Sequence, residues 1–138
     1  MIEKKEKIMM VSGKRKTSIA KVRIIPGSGK VTINKIPQEL LYEFHKLSID
    51  EPLMIAKKVL KKIDFDMIVK IRGGGRESQI EAARLAIAKA LVKKSKSETL
   101  KKAFSKYDKY MLVADVRRKE AYKPDDSKAR AKRQSSKR

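Results

Sequence analysis

Between Phe65 and Leu91 the chain switches abruptly from one repeat to another. Phe65, Met67, Val69 and Ile71 alternate with Asp66, Ile68, Lys70 and Arg72, and a period of two demands a strand with one buried face. Gly73-Gly74-Gly75 stops the alternation. Ile80, Ala83, Ile87, Ala90 and Leu91 then recur at helical spacing, which predicts a helix from about Glu77 to Lys94. A strand and a helix joined so closely bury their apolar faces by lying on each other. The expected class is therefore α/β, a two-layer sandwich of α+β type, and the alanines let the helix approach the sheet closely.

The rest of the chain supplies companions. Ala20, Val22 and Ile24 share one face of a strand over Ser18–Ile25, with Lys21 and Arg23 on the other. Pro26-Gly27-Ser28-Gly29 is a turn signal, and Val31 and Ile33 alternate again, so the two runs read as a hairpin. Two helices are expected next. One starts near Pro37 with a stripe of Leu40, Leu41, Phe44 and Leu47. The other opens at Asp50-Glu51-Pro52 with Leu53, Ala56, Leu60 and Ile63 inward and Lys57, Lys58, Lys61 and Lys62 outward. A short helix follows over Ser97–Tyr107, and Met111–Ala114 is a brief apolar run, a last strand or a packed extended segment. Residues 1–11 read as a charged, flexible lead-in, 12–114 as one globular domain, and 115–138 as an extended basic tail. From Arg117 onward ten basic residues face three acidic ones, and the last twelve residues hold six basics and no acid. They offer almost nothing apolar to offset the entropy of ordering, and are expected to stay extended until they meet a partner.

Charge narrows the partner. Lysine and arginine number 37 against 16 acids in 138 residues, a formal net charge of +21. Like charges repel in the compact state, so the excess makes sense when a polyanion neutralises it. Nucleic acid leads and an anionic membrane comes second. No stretch approaches the roughly 20 apolar residues of a spanning helix. The apolar run Ile8–Val11 is too short for a signal-peptide core, and Ile2 stands where myristoylation needs glycine. A cytosolic protein with no membrane partner is expected. Without cysteine, and with His45 as the single histidine, thiolate sites, zinc sites and triads have little to work with. No catalytic residue, metal, cofactor or small-molecule substrate is expected.

The motifs agree. Gly73-Gly74-Gly75 fails the dinucleotide fingerprint because Ser78 stands at its last glycine. It reads equally as a tight structural turn and, between Arg72 and Arg76, as backbone that an RNA phosphate approaches closely. Gly27-Ser28-Gly29-Lys30 fails as a P-loop, with Val31 and Ile24 where Ser or Thr and glycine belong. Asp64 and Asp66 share a strand face without a third ligand and read as a solvated turn. Lys14, Arg15 and Lys16 crowd the mouth of the first strand. With few aromatics (5%) and no tryptophan, contacts are expected to go to phosphate and sugar, which position without reading sequence.

Four stretches, taken together, are recognisable: Ser12–Val22; Gly29-Lys30-Val31-Thr32-Ile33-Asn34; Ile71-Arg72-Gly73-Gly74-Gly75-Arg76 running on through Gln79, Ala83 and Arg84 to Leu91; and Leu112–Glu120 with Arg117 and Arg118. Lys128-Ala129-Arg130-Ala131-Lys132-Arg133 and a final Ser136-Lys137-Arg138 close the series. In this order, over about residues 12 to 138, the chain resembles the family of the ninth protein of the small ribosomal subunit in its archaeal and eukaryotic form. The resemblance implies a domain like the second domain of the fifth small-subunit protein, with a left-handed βαβ crossover where nearly all such units are right-handed. It implies a place on the subunit head among ribosomal RNA and neighbouring ribosomal proteins. Ser136, Lys137 and Arg138 would meet peptidyl-site transfer RNA. Lys128, Arg130, Lys132 and Arg133 would thread through ribosomal RNA, joined by Lys14, Arg15, Lys16, Arg72, Gly73, Gly74, Gly75, Arg76, Arg117 and Arg118. Family tails often end near an aromatic residue and carry glycines before the arginine-rich stretch. Here Gln134 precedes Ser135 and Ser136, and Pro124-Asp125-Asp126 stands upstream, which leaves the charge contact. Two other classes compete: a phosphotransferase or nuclease built on the glycine loop, and a free-standing RNA chaperone.

Overall fold

The computed structural model describes residues 8–137. Five strands form one sheet: β1 Met9–Arg15, β2 Ser18–Pro26, β3 Val31–Ile33, β4 Ile36–Pro37 and β5 Phe65–Arg72, in the order β1-β2-β5-β3-β4. Three helices, α1 Glu43–Leu60, α2 Arg76–Ser95 and α3 Glu98–Tyr107, complete the fold. Alternation decides the layering. Ala20, Val22, Ile24, Met67, Val69 and Ile71 are buried under the helices, while Lys21, Arg23, Lys70 and Arg72 are exposed on the other face. The result is mixed α and β in two layers.

α2 is the central helix, packed on β1, β2 and β5 and flanked by α1 and α3. Its small residues set the spacing. Ala82, Ala83, Ala86, Ala88 and Ala90 are all fully buried, and Gly13 of β1 lies so close that a Cβ there would stand 2.6 Å from the Ala82 carbonyl oxygen. α3 begins with Ser97 capping the Leu100 amide (3.2 Å) and contributes Leu100 and Phe104, both fully buried. Burial of each stabilises the domain by roughly 1.5–3 kcal/mol. Arg84 of α2 ties two neighbours to it, reaching Glu51 of α1 at 2.6 Å and Asp108 after α3 at 2.9 Å.

Five expectations are corrected. β2 and β3 do not form a hairpin: β5 lies between them, antiparallel to β2 and parallel to β3, and β3 turns into β4 instead. Asp66 of β5 explains the geometry, because its Oδ1 accepts from the amides of Ser28, Gly29 and Lys30 at 2.8, 2.9 and 2.8 Å and folds the turn over the strand end. Asp66 is thus a loop anchor and not part of a solvated turn; these bonds, first that from Lys30, hold its pKa below the usual carboxylate value. The two helices expected between Pro37 and Ile63 are one, α1, preceded by a 3-10 turn at Gln38–Leu40, with Pro52 inside it. β1 begins at Met9 and pairs with β2, so Met9–Val11 belong to the sheet and not to a lead-in; residues 1–7 lie outside the described residues. Met111 is buried in a 3-10 turn, and Met111–Ala114 form no strand.

Candidate RNA interface

The outer face of the sheet is built by register. Lys21 of β2 lies directly opposite Lys70 of β5 and, on its other side, Ser12 of β1. The next row runs Lys14, Ile19, Arg72, and the row on the opposite side runs Met10, Arg23, Ile68, Thr32. Neighbouring strands are about 4.8 Å apart, so five cations crowd three strands, and the acid on this face, Asp66, is turned to the 28–30 amides. Like charges placed directly opposite destabilise a sheet. The arrangement makes sense when phosphate lies across it.

One end of this face gathers more charge. The two-residue turn between β1 and β2 places Lys16, in a left-handed conformation, next to Thr17, and the Thr17 carbonyl abuts Gly73 at the end of β5. The root of the tail comes to the same place: Arg15, Lys16, Thr17, Arg117, Arg118 and Lys119 line one cleft. Lys14, Lys16, Arg72, Arg117 and Arg118, distant in sequence, therefore meet at one end of the domain, with the glycine loop beside them.

In that loop Gly73 and Gly74 have positive φ, +79° and +66°. The fully buried Ser18 donates its hydroxyl to the Gly73 carbonyl (2.9 Å) and pairs with Ser78 Oγ (2.8 Å), so Gly74 is pressed between two hydroxyls. Gly75 has nothing within 4 Å of where a Cβ would be, and with Arg76 it is exposed. All three glycines are exposed; Gly73 and Gly74 are shaped by the turn, and Gly75 is the one with open space where a Cβ would stand.

The remaining expected residues divide. Arg15 is not a free cation. Its Nε bonds Glu81 and its Nη1 lies 2.8 Å from Asp115 Oδ2, an ionic approach without hydrogen-bond alignment, and only 14% of its side chain is exposed. Asp115 also accepts from the Arg117 backbone amide (2.9 Å) and guanidinium (2.7 Å). Within the tail Arg130 pairs with Glu120 (2.9 Å) and Arg133 with Asp125 (3.3 Å). Lys128, Lys132, Ser136 and Lys137 are exposed; Arg138 lies outside the described residues. Lys21, Arg23, Lys70 and Lys119 were missed by sequence reasoning. The first three carried a signal, the polar phase of two alternating strands, which becomes a site only once β2 and β5 are known to pair. His45 bonds Glu77 (2.8 Å). Among the described residues no group of three His, Cys, Asp or Glu side chains is placed to hold a metal, and no helix is long and apolar enough to cross a membrane.

Asp115 provides a pH test of the tail root. The Arg117 guanidinium, then its amide, hold the carboxyl at about 2, against 3.8 ordinarily. A depressed carboxylate pKa contributes stability present above the unfolded value and lost as pH falls through the folded one. The clasp is expected to persist at pH 4 and open towards pH 2. Carboxyl carbon shifts of Asp115 followed by NMR check this, and a midpoint near 4 would contradict it.

A family model described as Ribosomal protein S9/S16 matches residues 13–138. The chain is similar to the small ribosomal subunit protein uS9 of Methanococcus vannielii, at 42% identity over 94% of this chain and 98% of that protein. It is 40% identical to that of Pyrobaculum aerophilum over 99% of this chain and 95% of that protein, and 44% identical to that of Methanococcus maripaludis strain C7 over 94% and 98%. The match spans the β1–β2 turn, the glycine loop and the tail alike. These relatives and that family make the chain a ribosomal protein and not an enzyme, a member of the ribosomal protein S9/S16 family.

Proposed function

We propose that the chain is a structural constituent of the small ribosomal subunit in the cytoplasmic ribosome, held in ribosomal RNA by its sheet face and the basic end of that face, with its tail reaching peptidyl-site transfer RNA. The observation that carries the reading is the convergence of Lys14, Lys16, Arg72, Arg117 and Arg118 on one end of an uncovered, cationic sheet. Lys128, Arg130, Lys132 and Arg133 continue the contact along the tail, and their pairs with Glu120 and Asp125 are exposed ion pairs worth little each, readily exchanged for phosphate. Ser136, Lys137 and Arg138 hold transfer RNA by charge. From the family reading we also take the left-handed sense of the β3–α1–β5 crossover, the likeness to the second domain of the fifth small-subunit protein, and the place on the subunit head beside other ribosomal proteins.

Sedimentation tests the whole. Near one-to-one comigration of the tagged protein with the small subunit, lost on ribonuclease treatment, is expected; migration at the top of the gradient at low salt would overturn the reading and favour a free-standing RNA chaperone. Deleting Ser136–Arg138 is expected to leave assembly intact and to raise the off-rate of peptidyl-site transfer RNA. Unchanged off-rates in purified truncated subunits would remove the transfer RNA contact.

A further inference from the structure

The N-terminal half of α1 is unlike the rest of the molecule. Phe44, Leu47 and Met54 are 67%, 55% and 58% exposed, and their spacing puts them on one helical line. Ile49, Leu53 and Ala56, which are buried, occupy the opposite side. Leu40 (75% exposed) and Tyr42 (65%) extend the line before the helix, and the Tyr42 and Phe44 rings lie 5.7 Å apart. This cluster of aromatic and aliphatic side chains has no cover among the described residues, and such clusters supply the anchors of protein interfaces.

Charge says what covers it. Residues 36–54 hold four acids, Glu39, Glu43, Asp50 and Glu51, against the single base Lys46, in a chain with 37 lysines and arginines. Asp50 is engaged by Gln38 and Glu51 by Arg84. Glu39 and Glu43 are exposed and have no ion-pair partner among the described residues, and they bracket Leu40, Tyr42 and Phe44. Phosphate is repelled from such a surface, whereas an apolar segment rimmed with lysine or arginine is attracted to it.

We propose that this face of α1 docks a second, basic protein of the small subunit, so that the molecule faces RNA with its sheet and a protein with its helix layer. The inference rests on the ribosomal reading above. To test it, a photoreactive benzoylphenylalanine is placed at Phe44 in the full chain, small subunits containing it are purified, irradiated and treated with ribonuclease, and the adduct is sequenced. The expected adduct is a lysine- or arginine-rich peptide of another subunit protein, with its yield at least tenfold lower when Glu39→Lys and Glu43→Lys are added. A cross-link to ribosomal RNA, to a second copy of this chain or to an acidic peptide overturns the proposal, as does no cross-link or a yield indifferent to the two charge reversals. Absence of the unlabelled chain from small subunits would instead overturn the ribosomal reading. Its presence, with Phe44 cross-linking elsewhere, would remove the docking surface alone.

Discussion

Gly74→Ala is expected to destabilise the fold by about 3 kcal/mol, while Gly75→Ala, one residue on, costs roughly 0.5–1 kcal/mol. At Gly74 two penalties combine. A left-handed conformation costs an ordinary residue roughly 1–2 kcal/mol, and φ here is +66°. The new methyl would also stand 2.0 Å from Ser18 Oγ and 2.6 Å from Ser78 Oγ. Ser18 is fully buried and bonded to Gly73, so it has nowhere to retreat, and overpacking of this kind costs about 1–3 kcal/mol. Gly75 has negative φ and open space around it, so the cost of alanine there is only the weaker N-cap, roughly 0.5–1 kcal/mol. Urea unfolding of the two variants checks the contrast; a Gly74→Ala midpoint within experimental scatter of the wild type would refute the account of the loop. Because Gly75→Ala is expected to leave the protein folded, a loss of RNA affinity in that folded variant reports a phosphate contact.

The combined replacement Lys21→Gln, Arg23→Gln, Lys70→Gln is expected to flatten the dependence of RNA affinity on salt by about 2–3 in log–log slope. Each neutralised phosphate releases counterions and contributes roughly 0.7–0.9 to that slope. These three side chains are exposed on adjacent strands and point away from the core, so the fold is expected to remain and the Lys21–Lys70 repulsion to disappear. Titrating a small-subunit ribosomal RNA fragment at several salt concentrations gives the slope, and circular dichroism confirms folding. A folded variant with the wild-type slope would remove the sheet face from the interface and leave the tail and its root to carry it.

How far the sequence was legible depended on which kind of signal each element carried. β5 was read to the residue, because Phe65, Met67, Val69 and Ile71 alternate over its full length and glycines end it. α2 was read to within a residue at either end for a similar reason. α1 was misread as two helices because Phe44 and Leu47 imitate a core stripe while facing solvent, and because Pro52, a residue of helix starts, sits within the helix. The β2–β3 hairpin failed for a non-local reason. Gly27-Ser28-Gly29 is a turn, but the carboxylate that shapes it belongs to Asp66, which lies 37 residues beyond Gly29 in the chain. The candidate contact residues at loops and in the tail were proposed from basic clusters. Arg15 was not legible as an internal ion, because its partners Glu81 and Asp115 come from elements far along the chain.

The strand order has a consequence in time. β5 is the last strand to be synthesised, yet it occupies the middle of the sheet, bonded to β2 on one side and β3 on the other. Without β5 the β1–β2 and β3–β4 pairs have no strand to join them, and each would leave a row of unpaired backbone groups along the edge that β5 fills. Such edges invite pairing with other chains, and joining them requires closure of a long loop that contains all of α1. The sheet is thus closed only by the insertion of a single eight-residue strand, and α2, separated from that strand by three residues, packs on β1, β2 and β5 together.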